Sequence, residues 1–467
     1  MGKCPRIVIA AAHSGSGKTS LAISLTGALC RRGYKVQTFK VGPDFLDPTY
    51  LAVVSGRPCY NLDGWMMNKE HIQNLFDRVT RDADIAVVEG VMGLFDGSDV
   101  STIQGSTAQI AEWLDAPVLL IVNSRGMSRS FAALVKGFTS FEPQLKFIGV
   151  IANHCGSQNH ENWLSASLAA AGEPPLVGAI PSGAFVKLPG RHLGLVTASE
   201  QNLTKSIIDD LSAAVERHVS IDTLLQSLDV KKSFDSDENQ FLRTDPAVSS
   251  PRIRIGVAYD DAFHFYYQDF FDALVARGCE LVHFSPLADK LLPDNLNGIY
   301  IGGGYPEVHA EALAANGEML ASIRAFAAAG RPVYAECGGL MYLSKGIETN
   351  EGQFFAMLDI LPARTKMSKR MIALGYVEAR LSGDSLWGKK GDVGRGHEFH
   401  YSELLDDPCS NSEWKPVYEL QKPRSSDIRA EGFQKGNILA SYVHLYHSAR
   451  PAAVDCFIAS CAGNISL

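Results

Sequence analysis

The chain has 467 residues, 46% of them hydrophobic and 20% charged, with a formal net charge of −8. That length exceeds what one core usually organises and predicts two domains of roughly 200 residues each, while the acidic balance argues against a nucleic-acid partner. The nine cysteines are scattered with no CxxC pair, which predicts reduced thiols rather than a disulfide framework or a zinc ribbon. The leading MGKCPRIVIAAAHSGSG carries an apolar run too short for a signal segment or a membrane span, so the protein is read as cytoplasmic with no membrane partner.

In chain order, RIVIAAA (6–12) is a short β-prone run, followed by a glycine turn and the helical pattern TSLAISLTGALCRRG. The same alternation continues through KVQTFKV (35–41), DIAVVEG (84–90), PVLLIVN (117–123) and FIGVIAN (147–153), which predicts a parallel sheet covered by helices. Charged and small polar residues then displace the apolar pattern from Asp229 to Ser250, the expected linker. A new strand starts at residue 252 with RIRIGVAYDDAF, a helical pattern follows near 267–278, and ELVHF, GIYIGG and PVYAE read as further strands. From about 353 to 443 strand-like pieces dominate, so the second sheet is expected to be mixed. The predicted fold class is therefore α/β in both halves.

AHSGSGKTS (12–20) fits GxxxxGK[ST] except that Ala12 stands in place of the first glycine. Between a strand and a helix, Gly15, Ser16 and Gly17 let backbone N–H groups close around phosphate oxygens. Lys18 can then reach the β and γ phosphates, and Thr19, followed by Ser20, can hold Mg²⁺. Glu89 ends an apolar strand at the edge where ligands sit in open α/β sheets, the place for a magnesium-binding acid. Asp44 in KVGPDFLDPTY also follows a strand and is a further magnesium candidate. The alternative for either acid is a helix cap or a solvated loop charge. Asn153, after FIGVIA, is a candidate either for an adenine contact or for a turn cap. GTPases, partition ATPases, kinases and ligases all use such a loop. Partition ATPases add a lysine near its start, where this chain has His13 and Ser14.

In VYAECGGLMYL, Cys337 lies between a strand and a helix, where free N–H groups and the helix dipole favour a thiolate. This is a nucleophile-elbow pattern with cysteine in place of serine. Gly303 and Gly304, after the strand GIYIG, can form an oxyanion hole with the N–H of Gly338. His444 in NILASYVHLYH ends another strand and is the candidate base. Each has a bland reading, as a buried thiol, a plain loop or a core histidine. Nucleophile, base and oxyanion donors at strand ends of one domain favour catalysis.

Together with NLDGWMM (61–67), VVEGVMGLFDG (87–97), GGGYPEVHA (302–310) and RGHEFHYS (395–402), these segments resemble the CobB/CobQ-type glutamine-dependent amidotransferases. The likeness runs across both halves of the chain. It implies an N-terminal P-loop synthetase domain of the dethiobiotin-synthetase type at 1–228, a linker at 229–250 and a class I glutaminase-like domain at 251–467. It further implies Mg²⁺ as cofactor, with ATP and L-glutamine as co-substrates. The acceptor implied is cobyrinic acid, amidated on its a and c acetates in cobalamin biosynthesis, with hydrogenobyrinic acid and nickel-sirohydrochlorin as open alternatives. Asp47, Tyr50, Asn61 and Asp63, with Trp65, form a polar and aromatic set that could meet this substrate. A solvated loop anchored by Trp65 is the alternative. A homodimer is compatible with this reading.

The resemblance has one departure. Many such glutaminases read His-x-Glu, but His444 is followed by Leu445 and Tyr446, so the third member is missing or supplied elsewhere, with Glu398 as one substitute. A nucleotide-switched binding protein with a retired glutaminase half is the alternative from another functional class.

Overall fold

The structure is a computed structural model that describes residues 4–185, 204–228, 230, 253–410 and 413–463. Its chain divides into two compact units, Met1–Leu242 and Arg243–Leu467. Apart from residue 230, the expected linker at 229–250 lies outside the described residues.

The first unit is built on seven strands: β1 (Arg6–Ala11), β2 (Val36–Val41), β3 (Tyr60–Leu62), β4 (Ile85–Glu89), β5 (Val118–Asn123), β6 (Phe147–Cys155) and β7 (Leu176–Pro181). They lie in the order β3-β2-β4-β1-β5-β6-β7, and every pair is parallel. β3 and β7 were not anticipated from the sequence. β1, β2, β4 and β5 are almost wholly buried, which explains the apolar runs of β1, β4 and β5: a parallel sheet covered on both faces leaves no polar side, and β2 buries Gln37, Thr38 and Lys40 there as well. One core packs the inner faces of β1, β4 and β5 against the helix Lys18–Arg31, through Ile7, Ile9, Val87, Ile121, Leu21 and Leu25.

The second unit carries β8 (Arg254–Ala258), β9 (Glu280–Phe284), β10 (Gly298–Ile301), β11 (Val333–Glu336), β12 (Gly346–Glu348), β13 (Phe354–Ala356), β14 (Arg364–Met367), β15 (Ala373–Leu381), β16 (Val393–His400), β17 (Ser402–Leu404), β18 (Lys415–Gln421), β19 (Ile428–Lys435), β20 (Ile438–Ser441) and β21 (His444–Leu445). Ten form one sheet in the order β21-β16-β15-β18-β19-β20-β11-β10-β8-β9. Its β20 to β9 part is parallel, and the remaining pairs are antiparallel, which is the mixed sheet expected. The small sheet β13-β12-β14-β17 was not foreseen. Only Tyr442 and Val443 separate β20 from β21, although four strands lie between them in the sheet order. Two residues span at most about 11 Å between flanking Cα atoms, so the antiparallel strands must curl round to bring the edge strand back beside β20. That curl carries His444 to the end of β11. Among the described residues no helix is long and apolar enough to cross a membrane.

Candidate active sites

In the first unit the loop after β1 turns through Gly15 (φ 78°) and Gly17 (φ 101°) before the helix starts at Lys18. Both values lie in the left-handed region that only glycine enters freely. Gly17 is required for space as well, because a Cβ there would stand 2.6 Å from Nδ2 of Asn153. Asn153 donates that amide to the Ser16 carbonyl at 2.8 Å, so it braces the loop from β6. Among the described residues the N–H groups of Gly15, Ser16 and Gly17 donate to no protein group, the condition for an anion-binding nest. The Lys18 ammonium donates to the Met92 carbonyl at 2.5 Å, across the loop that follows β4.

Register explains what lies beneath the loop. Lys40 of β2 and Glu89 of β4 are direct partners on adjacent parallel strands, so their side chains share a face. Lys40 Nζ donates to Glu89 Oε1 at 2.8 Å and to Asp47 Oδ2 at 2.6 Å. The Thr19 hydroxyl donates to the same Glu89 oxygen at 2.6 Å and lies 3.3 Å from Asp47 Oδ2. Glu89 Oε2 is buried and accepts no hydrogen bond among the described residues. Burial, then the Asp47 charge, push Glu89 up to about 7, with Lys40 and Thr19 opposing. Burial acts to lower the pKa of Lys40, but Asp47, Glu89 and Asp44 outweigh it and hold the ammonium above the ordinary lysine range.

Asp47 therefore stands where the sequence reading had placed Asp44. Asp44 accepts the N–H groups of Leu46 (2.8 Å) and Asp47 (3.0 Å) and shapes the turn that starts the helix Asp47–Ser55. Lys40 was missed altogether. Its signal was available: a single lysine in VQTFKV, a strand otherwise fit for complete burial. Of the remaining substrate candidates, Asn61 donates to the Gly42 and Asp44 carbonyls, and Asp63 accepts from Trp65 and Met66 N–H. Tyr50 packs in the apolar core. Asn61 and Asp63 thus hold the loops in shape, and Trp65 is buried.

In the second unit Cys337 follows β11 with φ 49° and ψ −103°, a strained elbow for a residue with a Cβ. Its N–H donates to the Ser441 carbonyl at 2.7 Å, and the helix Gly338–Leu343 begins at once. The thiol is buried, and its pKa is raised well above the usual cysteine value, first by that burial and then by Glu307, with the Gly338 N–H opposing. Glu307, in the GGGYPE loop, is itself pushed up to about 7 by burial. A thiol so held is protonated at neutral pH and needs a base to act as a nucleophile.

The glycine loop meets both expected partners. A Cβ on Gly303 would lie 2.5 Å from Cε1 of His444, and one on Gly338 would lie 3.1 Å from the Gly304 nitrogen. The loop thus packs flat between the histidine ring and the residue after the thiol, an approach that side chains would forbid. His444 is 1% exposed and stacks on His397 of β16, its direct strand partner, with ring centroids 5.0 Å apart. Nδ1 of His444 lies 3.7 Å from Oε2 of Glu336, the last residue of β11. Glu398, considered from the sequence, is instead paired with Arg429 and lies 3.9 Å from His400. Its carboxyl stays below the usual range although burial opposes this, because His400 and Arg429 favour the charged form.

Comparison with known proteins agrees with this division. Residues 7–196 match the CobQ/CobB/MinD/ParA nucleotide binding domain, and residues 254–452 match the CobB/CobQ-like glutamine amidotransferase domain. Relatives named cobyrinate a,c-diamide synthase include those of Syntrophotalea carbinolica, 50% identical over 98% of this chain and 99% of the relative, and Leptospira interrogans, 42% identical over 98% and 99%. That of Dehalococcoides mccartyi is 41% identical over 97% of both chains. The chain belongs to the cobyrinate a,c-diamide synthase family of CobB/CobQ-type glutamine amidotransferases.

Proposed function

We propose that the protein is an ATP- and glutamine-dependent ligase that amidates the a and c acetate carboxylates of cobyrinic acid. The observation that carries this reading is the pairing, in one chain, of a phosphate loop over a threonine and two buried carboxylates with a strained thiol under a glycine loop that touches a histidine. We assign the two reactions to residues 1–228 and 251–467.

A carboxylate is a poor electrophile and needs a leaving group before an amine can displace oxygen. Transfer of the γ-phosphoryl group of ATP to the substrate carboxylate gives an acyl phosphate. The N–H groups of Gly15, Ser16 and Gly17 and the Lys18 ammonium would hold the phosphates and the charge that moves between them. Thr19, Glu89 and Asp47 fit Mg²⁺: three side chains with oxygen ligands converge, and one oxygen of Glu89 is buried without a donor among the described residues. When bound, the ion would neutralise phosphate charge. Lys40 keeps the two carboxylates together.

In the second unit Cys337 attacks the glutamine carboxamide carbon once His444 has taken the thiol proton. His444 then passes that proton to the departing nitrogen as ammonia leaves, and water hydrolyses the glutamyl thioester to glutamate. The N–H groups of Gly303, Gly304 and Gly338 would stabilise the oxyanion. Ammonia then displaces phosphate from the acyl phosphate. Nine free thiols suit a reducing compartment, and we place the enzyme in the cytoplasm.

Incubation with cobyrinic acid, hydrogenobyrinic acid or nickel-sirohydrochlorin, each with ATP, Mg²⁺ and glutamine, tests the reading by product mass. The expected result is two amides on cobyrinic acid, with glutamate and ADP formed. Products from only one of the other tetrapyrroles would reassign the substrate. No product and no glutamate from any of them would favour the nucleotide-switched binding protein.

A further inference from the structure

His444 lacks the acid that many triad glutaminases place two residues later. That position is Tyr446, and its hydroxyl donates to Asp269 of the helix Gln268–Val275. A carboxylate nevertheless reaches the histidine from the other side. Glu336 is paired in register with Ser441 across β11 and β20, and His444 follows Ser441 by three residues after the turn. The turn itself is fixed, because Glu431 accepts from the Ser441 hydroxyl at 2.5 Å and from the Tyr442 N–H at 2.7 Å.

Glu336 is a buried carboxylate satisfied by neutral donors. Tyr300 donates to Oε2 at 2.6 Å, Tyr334 to Oε1 at 2.5 Å, and the Leu445 N–H lies 3.3 Å from Oε1. These tyrosines are direct partners on β10 and β11, and Glu336 stands two residues beyond Tyr334 on the same face. These donors fix both carboxylate oxygens in place. Among the described residues the groups within ion-pair distance of Glu336 are two histidines, His444 (3.7 Å) and His447 (4.0 Å). His447 is already engaged: its Nε2 lies 3.1 Å from the Tyr334 hydroxyl, and its ring stacks on Trp387 with centroids 3.5 Å apart. Burial, aided by Arg450, also keeps His447 neutral by lowering its pKa well below the ordinary value. His444 faces Glu336 on one side and His397 on the other, and His397 is bonded to the Tyr267 hydroxyl at 3.2 Å and is held neutral by burial and then by His444.

We propose that Glu336, the residue immediately before the thiol, is the positioning residue that orients His444 and holds its charge during glutamine hydrolysis. This inference rests on the assignment of Cys337 and His444 as nucleophile and base. An Nδ1–H directed at the carboxylate leaves Nε2 with the lone pair that accepts the Sγ proton. When that proton arrives, the imidazolium lies beside an anion, and the proton is then returned to the leaving nitrogen. The contact of 3.7 Å is long for a hydrogen bond, as catalytic contacts commonly are before substrate tightens them. The same chain segment thus supplies nucleophile and orienting acid, in place of a single segment that supplies base and acid.

The test is Glu336→Gln in the full-length protein, measured for glutaminase activity, with ammonium-driven synthesis as the control for folding. The expected loss is about 100-fold in glutaminase kcat with little change in KM for glutamine, and Glu336→Asp should recover part of it. A kcat within about threefold of wild type would overturn the proposal. Glutamine hydrolysis surviving in Cys337→Ser would instead overturn the assignment on which it rests. If Glu336→Gln also loses ammonium-driven synthesis, ¹⁵N-histidine NMR of the wild-type protein decides: an Nδ1–H tautomer at His444 supports the proposal, and an Nε2–H tautomer contradicts it.

Discussion

Both units end a parallel strand with a buried glutamate, Glu89 on β4 and Glu336 on β11, yet they treat its charge in opposite ways. Glu89 is met by a permanent cation, Lys40, which also holds Asp47. Glu336 is met by tyrosine hydroxyls and histidines. The difference follows the chemistry each strand end must serve. In the proposed mechanism the first strand end presents carboxylate oxygens to phosphate and magnesium, and a fixed cation holds those carboxylates together. The second would move one proton, and its glutamate is met by neutral donors and by a histidine that becomes positive only during the reaction. The turns that follow differ in the same sense. The loop at 13–15 is exposed, as a large anion requires, whereas Cys337 and the two glycines after it are buried, as a small carboxamide allows.

Lys18→Ala should break the first site most severely. Synthesis from glutamine or from ammonium should fall about 1,000-fold, since the lysine charge is lost where phosphoryl charge develops. Activity within tenfold of wild type would remove the phosphate loop from the mechanism. Gly303→Ala strikes the second site alone. Its Cβ would enter the space of the His444 ring, so glutaminase activity should fall about 100-fold while ammonium-driven synthesis persists. Equal loss with both nitrogen sources would mean that the loop serves stability and not glutamine. Lys40→Met sharpens the contrast between the two glutamates. It leaves Asp47 and Glu89 buried together without a cation, and urea denaturation should show a loss of about 3–5 kcal/mol. A loss below about 1 kcal/mol would show that the pair does not depend on that cation.

The outlines of this arrangement were legible in the sequence because they rest on local signals. Continuous apolar runs gave the parallel strands, and glycines flanking Lys18 and Cys337 marked the two turns. What escaped depended on register and on where a turn begins. Asp44 and Asp47 are three residues apart after the same strand, and only the start of the helix at Asp47 decides which one caps the turn and which faces Thr19. Lys40 meets Glu89 through strand pairing across 49 residues of sequence. Glu336 escaped for a similar reason. Nothing beside it in AECGG points to His444, which arrives through the curl of six strands and a two-residue turn. Glu398, nearer in pattern to a histidine motif, was drawn away by Arg429 of β19, with β15 and β18 between that strand and β16 in the sheet order.

The central claim is that one chain makes ammonia at Cys337 and uses it at a phosphate-activated carboxylate. Cys337→Ser, assayed for amidation of cobyrinic acid with glutamine and separately with ammonium, tests it most directly. The account predicts loss of synthesis from glutamine with synthesis from ammonium retained. Unchanged use of glutamine by that variant would contradict it.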